Sequence, residues 1–429
     1  MKSIKKIWNN NPLLKITSAN SLSVIVKMMT GFITNKVLAI FVGPQGMGYV
    51  GNFRDFFLVI QTVATLGLSN GIIKYVAEFK KDLRKLSQIL STSLGITLIA
   101  ASVCGLGVFF TASYWNNQLF SGTDNYVFVI QMAALSVPVY GLYTILLAVI
   151  NGYSKYKIYI VSNITVNLIG LLITIFLVWK YDLEGALYSI ILIPIVSLFI
   201  TLFFIYKKRE KAKLFNISNV HFETLKKFKN YIIMAMISGL AVPFVRIAIR
   251  DLIEIHDGIS ATGYWEAMFR ISNMYLLFFT TLMTLYILPK FSENNSDKVF
   301  RFEVQNFYKT VLPVFGMALL VLYLLRSYVI LILQTEAFME MEKLFAWQLA
   351  GDFFKVASMV IAYRFIAQNM IWHFIITEIL SILIYYLLCH WLIPVYGFVG
   401  AAGAYAVQML VYLLLVVFIF RKPLFNRQV

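Results

Sequence analysis

Charged side chains are what this sequence has least of. Asp, Glu, Lys and Arg make up 13% of its 429 residues, about half the share usual in soluble globular domains. A globule covered by a charged, water-facing surface is therefore excluded. Acids are scarcer than bases, 20 against 37, which leaves a formal charge of +17 to be explained. The four histidines, His221, His256, His373 and His390, are scattered without HExxH-type spacing, and neither a phosphate-binding loop nor a nucleophile elbow is present. Zinc hydrolysis, ATP-driven work and serine-type acyl transfer thus lose their usual signatures. The two cysteines, Cys104 and Cys389, lie far apart in apolar stretches, the pattern of two buried thiols rather than a disulfide or metal site.

What fills the sequence is apolar: 60% of residues are hydrophobic and the mean hydropathy is +0.78, the composition of a polytopic integral membrane protein. A hydrocarbon core of about 30 Å needs roughly twenty apolar residues per helix. Twelve segments qualify, at about 16–42, 48–76, 86–110, 124–150, 157–179, 183–206, 230–254, 262–288, 307–333, 343–367, 370–392 and 397–420. The first is too long for a signal-peptide core and lacks a small-residue cleavage site, so it is expected to stay as a span. Lys2, Lys5 and Lys6, then Lys80, Lys81, Arg84 and Lys85, then Lys155 and Lys157, the run 207–229, Lys290, Lys298 and Arg301, and finally Arg421, Lys422 and Arg427 fall in alternate loops. The other loops are nearly bare of bases, Lys180 and Lys343 excepted. The positive-inside rule then predicts both termini in the cytoplasm. Basic segments facing an anionic leaflet account for most of the +17. Nucleic acid is not an indicated partner, because the KKREKAK run at 207–213 abuts a span and carries no recognition motif. On the outer side the longest loops, Thr111 to Asn125 and Glu254 to Gly263, are too short for an external catalytic domain.

The halves echo each other. Gly48-Tyr49 and Phe53-Arg54 recur as Gly263-Tyr264 and Phe269-Arg270, displaced by 215 and 216 residues; Tyr181, Gly185 and Ala186 recur as Tyr396, Gly400 and Ala401, again by 215. The expected fold is all-α, with twelve transmembrane helices in two six-helix lobes, 1–206 and 230–429, joined by a basic cytoplasmic linker at 207–229. Six spans per lobe make this a parallel repeat about a pseudo-two-fold axis along the membrane normal, with rocking of one lobe against the other as its natural motion.

A few charges lie inside the apolar segments, where they are costly and normally face a protein interior or an aqueous path. Arg54 and Arg270 occupy repeat-equivalent places in spans 2 and 8, Arg246 and Arg250 share a face of span 7, and Lys27 lies near the middle of span 1. Together they make a cationic inter-lobe chamber for an anion, with arginine suited to bidentate phosphate contacts. The competing expectation is intramembrane pairing: Glu266 precedes Arg270 by four, Asp55 adjoins Arg54 and Asp251 adjoins Arg250. Lys36, Lys74 and Arg326 stand near span ends, where they either join the path or snorkel to the interface. Asp352 and Lys355, three apart in span 10, either neutralise each other or couple transport to an ion. No cofactor is indicated. Without a nucleotide site, transport is expected to draw on a proton or sodium gradient, on substrate consumption beyond the membrane, or on both.

Specific strings complete the reading. Asn52-Phe53-Arg54 after Gly43-Pro44-x-Gly46-x-Gly48, then Asn70-Gly71 with Lys74-Tyr75-Val76-Ala77, then Leu344-Phe345-Ala346-Trp347-Gln348-Leu349 with Gly351-Asp352 and Lys355-Val356, and His390-Trp391-Leu392-Ile393-Pro394 before Gly400-Ala401-Ala402 resemble Wzx-type O-antigen and lipid III flippases. The resemblance runs nearly end to end and is nearest to the branch handling lipid III of enterobacterial common antigen. These belong to the multidrug/oligosaccharidyl-lipid/polysaccharide exporter superfamily. It implies a bacterial inner-membrane protein that moves undecaprenyl-diphosphate-linked oligosaccharide to the periplasmic leaflet, beside membrane lipids, a glycan polymerase and a chain-length regulator. Lys27, Arg54, Lys74, Arg250, Asp352 and Lys355 match the pattern of that group, whereas Arg246 and Arg270 depart from it. The alternatives are a multidrug exporter of the same fold, which calls for an acidic chamber, a membrane glycan-assembly enzyme, which calls for a long external loop, and a scaffold, which would tolerate loss of the buried charges.

Overall fold

A computed structural model describes residues 12–120, 125–207, 225–293 and 296–425. Every regular element among them is helical, as a hydrocarbon solvent demands when each backbone N–H must find its carbonyl within the segment. The first half contains α1 (Pro12–Phe41), α2 (Gly43–Thr65), α3 (Ser69–Phe79), α4 (Leu83–Phe110), α5 (Ala112–Leu119), α6 (Val127–Gly152) and α7 (Tyr156–Lys207). The second contains α8 (Leu225–Asp257), α9 (Ile259–Leu282), a π turn (Met283–Ile287), α10 (Leu288–Glu293), α11 (Asp297–Leu324), α12 (Arg326–Leu333), a 3-10 stretch (Glu336–Leu344), α13 (Phe345–Ala367), α14 (Ile371–Tyr396), α15 (Phe398–Ile419) and α16 (Arg421–Phe425).

Among the described residues ten stretches are long and apolar enough to cross a membrane. One of them, α7, is two spans, because the backbone turns at Asp182 (φ 43°, ψ −119°). The charge-bearing α8 adds another, 33 residues long, so the protein is a multi-pass membrane protein of twelve helical spans in two repeated halves. The structure moves several expected ends. The second span breaks at Leu66 and Gly67 (φ 48° and 59°), the seventh starts at Leu225, and the ninth runs from Asp297 to Leu324. Of the basic segments, residues 208–224 lie outside the described residues, as do Lys2, Lys5, Lys6 and Arg427.

The repeat is written in the backbone. Three pairs of left-handed residues are each 215 apart: Gly43 and Gly258 (φ 69° and 80°), Ser154 and Asn369 (57° and 56°), Asp182 and Gly397 (43° and 61°). After the last pair, Gly185 and Gly400 pass so close to the carbonyls of Leu177 and Leu392, also 215 apart, that a Cβ has no room. Equivalent residues therefore make equivalent turns, which composition alone does not require.

By contacts the chain forms two compact units, one of residues 1–30 with 52–244 and the other of 31–51 with 245–429. Helices α1, α2 and α8 each contribute to both. In the first unit, Tyr75 of α3 meets the ring of Phe228 of α8 edge-on at 5.2 Å, within a cluster of Leu68, Ile72, Leu86 and Ile145. In the second unit, α2 and α9 cross at small residues. A Cβ on Gly48 would stand 3.2 Å from the Ile259 carbonyl, and one on Gly263 would meet that of Pro44.

Candidate functional site

The crossing of α2 and α9 sets up the charges behind it. One turn along from Gly263, Glu266 points inward with no exposure and gathers three guanidinium groups of the second unit. Arg250 Nη2 donates to Oε2 at 2.7 Å, Arg246 Nη2 to the same oxygen at 3.2 Å, and Arg270 Nε to Oε1 at 2.8 Å. Arg246 and Arg250 reach it from successive turns of α8, and Arg270 from the next turn of α9. Gly51 completes the fit, since a Cβ there would stand 2.9 Å from Arg250 Nε and 3.0 Å from the Glu266 carboxylate. Gly51 and Glu266 are themselves 215 apart, so the repeat places the carboxylate in one half and the room for it in the other. Arg246 also lies over the ring of Phe269 at 3.7 Å, and Arg250 over Trp265 at 5.3 Å, contacts that favour a desolvated cation.

Three guanidiniums share the one Glu266 carboxylate. Arg250 is fully buried and serves the internal pair, whereas Arg246 and Arg270 keep 11% of their side chains accessible. Glu266 therefore holds planar donor forks in fixed positions, an arrangement suited to phosphate oxygens. The sequence offers Glu266 as a partner of Arg270 alone; the other two contacts come from a different helix.

Asp352 of α13 is fully buried and accepts from Ser272 Oγ (2.6 Å), Tyr405 OH (2.8 Å) and Tyr275 OH. Gln348 in turn donates to Ser272 at 3.1 Å. Among the described residues no direct ion pair joins Asp352 to Lys355, whose ammonium lies 6.0 Å from the Tyr405 ring centre. Hydroxyl donors, not a cation, hold this carboxylate in place. Lys36 donates to the carbonyls of Leu331 (2.8 Å) and Gln334 at the C-terminal end of α12, where partial negative charge collects.

The first unit holds the remaining candidates. Arg54 and the buried Asp55 follow Asn52 on α2, whose amide donates to the Leu119 carbonyl at 3.2 Å. Lys74 lies on α3 with its ammonium 5.5 Å from the ring centre of Tyr75. Lys27 lines a cavity of about 320 Å³ with Tyr143, Tyr159, Asn163, Asn167 and Ser197. Those five neighbours are absent from the sequence-derived candidates, although an Asn pair four apart in an apolar span marks one helix face.

The chain is 30% identical over 401 residues to the lipid III flippases of Escherichia coli (strain K12) and Shigella flexneri, an alignment covering 93% of it and 96% of each relative. Among solved structures, lipid II flippase MurJ in an inward closed conformation superposes with a TM-score of 0.73 at 17% identity, over 95% of this chain and 87% of that one. An inward-facing multidrug resistance MATE family transporter of the MOP superfamily gives 0.73 at 13%, over 94% and 98%. At such identities the two structures attest the fold alone. The family model described as polysaccharide biosynthesis protein matches residues 13–295, and with near full-length relatives at 30% identity, the chain belongs to that family.

Proposed function

We propose that this protein is a flippase, not an enzyme, and that it carries undecaprenyl-diphosphate-linked oligosaccharide, of lipid III or O-antigen type, from the cytoplasmic to the periplasmic leaflet of a bacterial inner membrane. The observation that carries the reading is the near full-length identity to two lipid III flippases. The arginines around Glu266 give it chemistry, because a diphosphate leaving water needs replacement donors, and guanidinium groups provide them. Arg54 and Lys74 serve the same headgroup. In this reading the halves 1–206 and 230–429 rock about the 207–229 segment in alternating access, and both termini are cytoplasmic. Asp55, Asp352 and Lys355 are the groups through which a proton or sodium gradient acts, and a glycan polymerase with its chain-length regulator consumes the exported units. The multidrug-exporter reading draws only on fold likeness, and it calls for an acidic chamber, whereas the candidate residues are mostly basic.

The test is export in cells depleted of their own flippases. Restored surface glycan with the intact protein, lost on Arg54→Ala at matched membrane levels, is the expected result. No restoration across a panel of donor glycans, with the protein correctly inserted, would remove the flippase reading.

A further inference from the structure

The cavity of the first unit has a composition that a diphosphate site does not need. Its lining carries one charge, Lys27, and no carboxylate, and the rest of its polar wall consists of two amides, two phenols and the hydroxyls of Ser23 and Ser197. Among the described residues the Lys27 ammonium has no hydrogen-bond or ion-pair partner, in contrast to the arginines that share Glu266. Asn167 Nδ2 donates to the backbone carbonyl of Asn163 one turn before it, at 2.8 Å, which fixes that amide and leaves Oδ1 as an acceptor. Ser197 Oγ donates to the Ile193 carbonyl at 2.6 Å. Neutral donors and acceptors on rigid helices, beside flat phenol rings, match the hydroxyls and ring faces of a sugar, and an ammonium adds donors to hydroxyl oxygens. A cationic ligand is disfavoured there, and an apolar tail would strand the polar wall.

Depth supports the same occupant. Asn163 is seven residues into α7, Tyr143 nine from the end of α6, and Ser197 ten from the end of α7, so each stands about 10–15 Å along its helix from the ends carrying Lys155, Lys157 and Lys207. That is the basic side, where the unflipped glycan waits.

We infer that this cavity is a saccharide subsite, in which Asn163, Asn167, Tyr159 and Lys27 hydrogen-bond a sugar residue of the transported lipid. The inference rests on the flippase reading and goes beyond it by separating glycan recognition from diphosphate recognition.

Native mass spectrometry of the full-length protein in nanodiscs, titrated with undecaprenyl diphosphate and with its oligosaccharide conjugate, tests it. Asn163→Ala/Asn167→Ala is expected to weaken the conjugate about tenfold and to leave undecaprenyl diphosphate within about twofold, the latter also reporting an intact fold. Tyr159→Phe, which removes only a hydroxyl, is expected to weaken the conjugate severalfold with the same selectivity. Unchanged conjugate binding in both variants, or parallel loss of both lipids in both variants, overturns the subsite. Wild-type protein that binds neither lipid overturns the flippase reading itself.

Discussion

Glu266 carries more of the arrangement than any arginine around it. Its replacement by Gln keeps shape and removes the anion, which leaves three guanidiniums facing one another out of water. Breaking a buried ion pair from one side costs about 3–5 kcal/mol. Glu266→Gln is therefore expected to lower Tm in detergent by many degrees, with part of the loss recovered when Arg250→Met is added. A Glu266→Gln protein that melts with the wild type would show that the cluster is not held in this way. Gly51 gives an independent handle. Gly51→Val pushes branched carbon into the space between Arg250 and Glu266, so overpacking of about 1–3 kcal/mol is expected, read as a lower Tm, while Gly107→Val, at a glycine with open space around it, should change it far less. At this scale the sequence is half legible. The i, i+4 spacing exposes Glu266 to Arg270, but the approach of α8 is a tertiary fact that no local spacing contains.

Helices were the easiest part to read and their interruptions the hardest. Apolar runs of about twenty residues are local properties, so the spans can be counted before any packing is known. The break at Leu66 and Gly67 falls where Gly67 packs against Ala235, and the early start of α11 follows from the Ser296 hydroxyl, which accepts from Val299 N–H; hydropathy contains neither. The turn between the last two spans of each half shows the difference within one element. Gly397 suits φ 61°, whereas Asp182 holds the equivalent φ 43° with a Cβ, at a cost of about 1–3 kcal/mol. Asp182→Gly is accordingly expected to raise Tm by about 1–3 °C. Gly397→Ala is expected to lower it by more, because strain is joined by collision with the Asp257 carboxylate, which also accepts from Phe398 N–H. An unchanged Tm in both variants would mean that the repeat's turns are not strained.

Across the whole molecule, the distribution of basic loops predicts orientation, and cysteine supplies the means to test it. Cys389 is buried and Cys104 sits half-buried in α4, so an impermeant maleimide should ignore the native protein in spheroplasts. Ser113→Cys, on the exposed face of α5, should be labelled directly, and Lys81→Cys, between α3 and α4, only after permeabilisation. The opposite pattern would invert the topology. The units themselves add a matter of timing. Residues 31–51 belong with 245–429, so during synthesis they emerge about two hundred residues before their partners begin to appear. At roughly 5–20 residues per second, Gly48 and Gly51 wait on the order of 10–40 s for the helix that fills against them. A nascent chain halted after its first six spans thus presents a glycine-rich surface with nothing yet made to cover it, and whatever shelters that surface in the cell acts before the protein is whole.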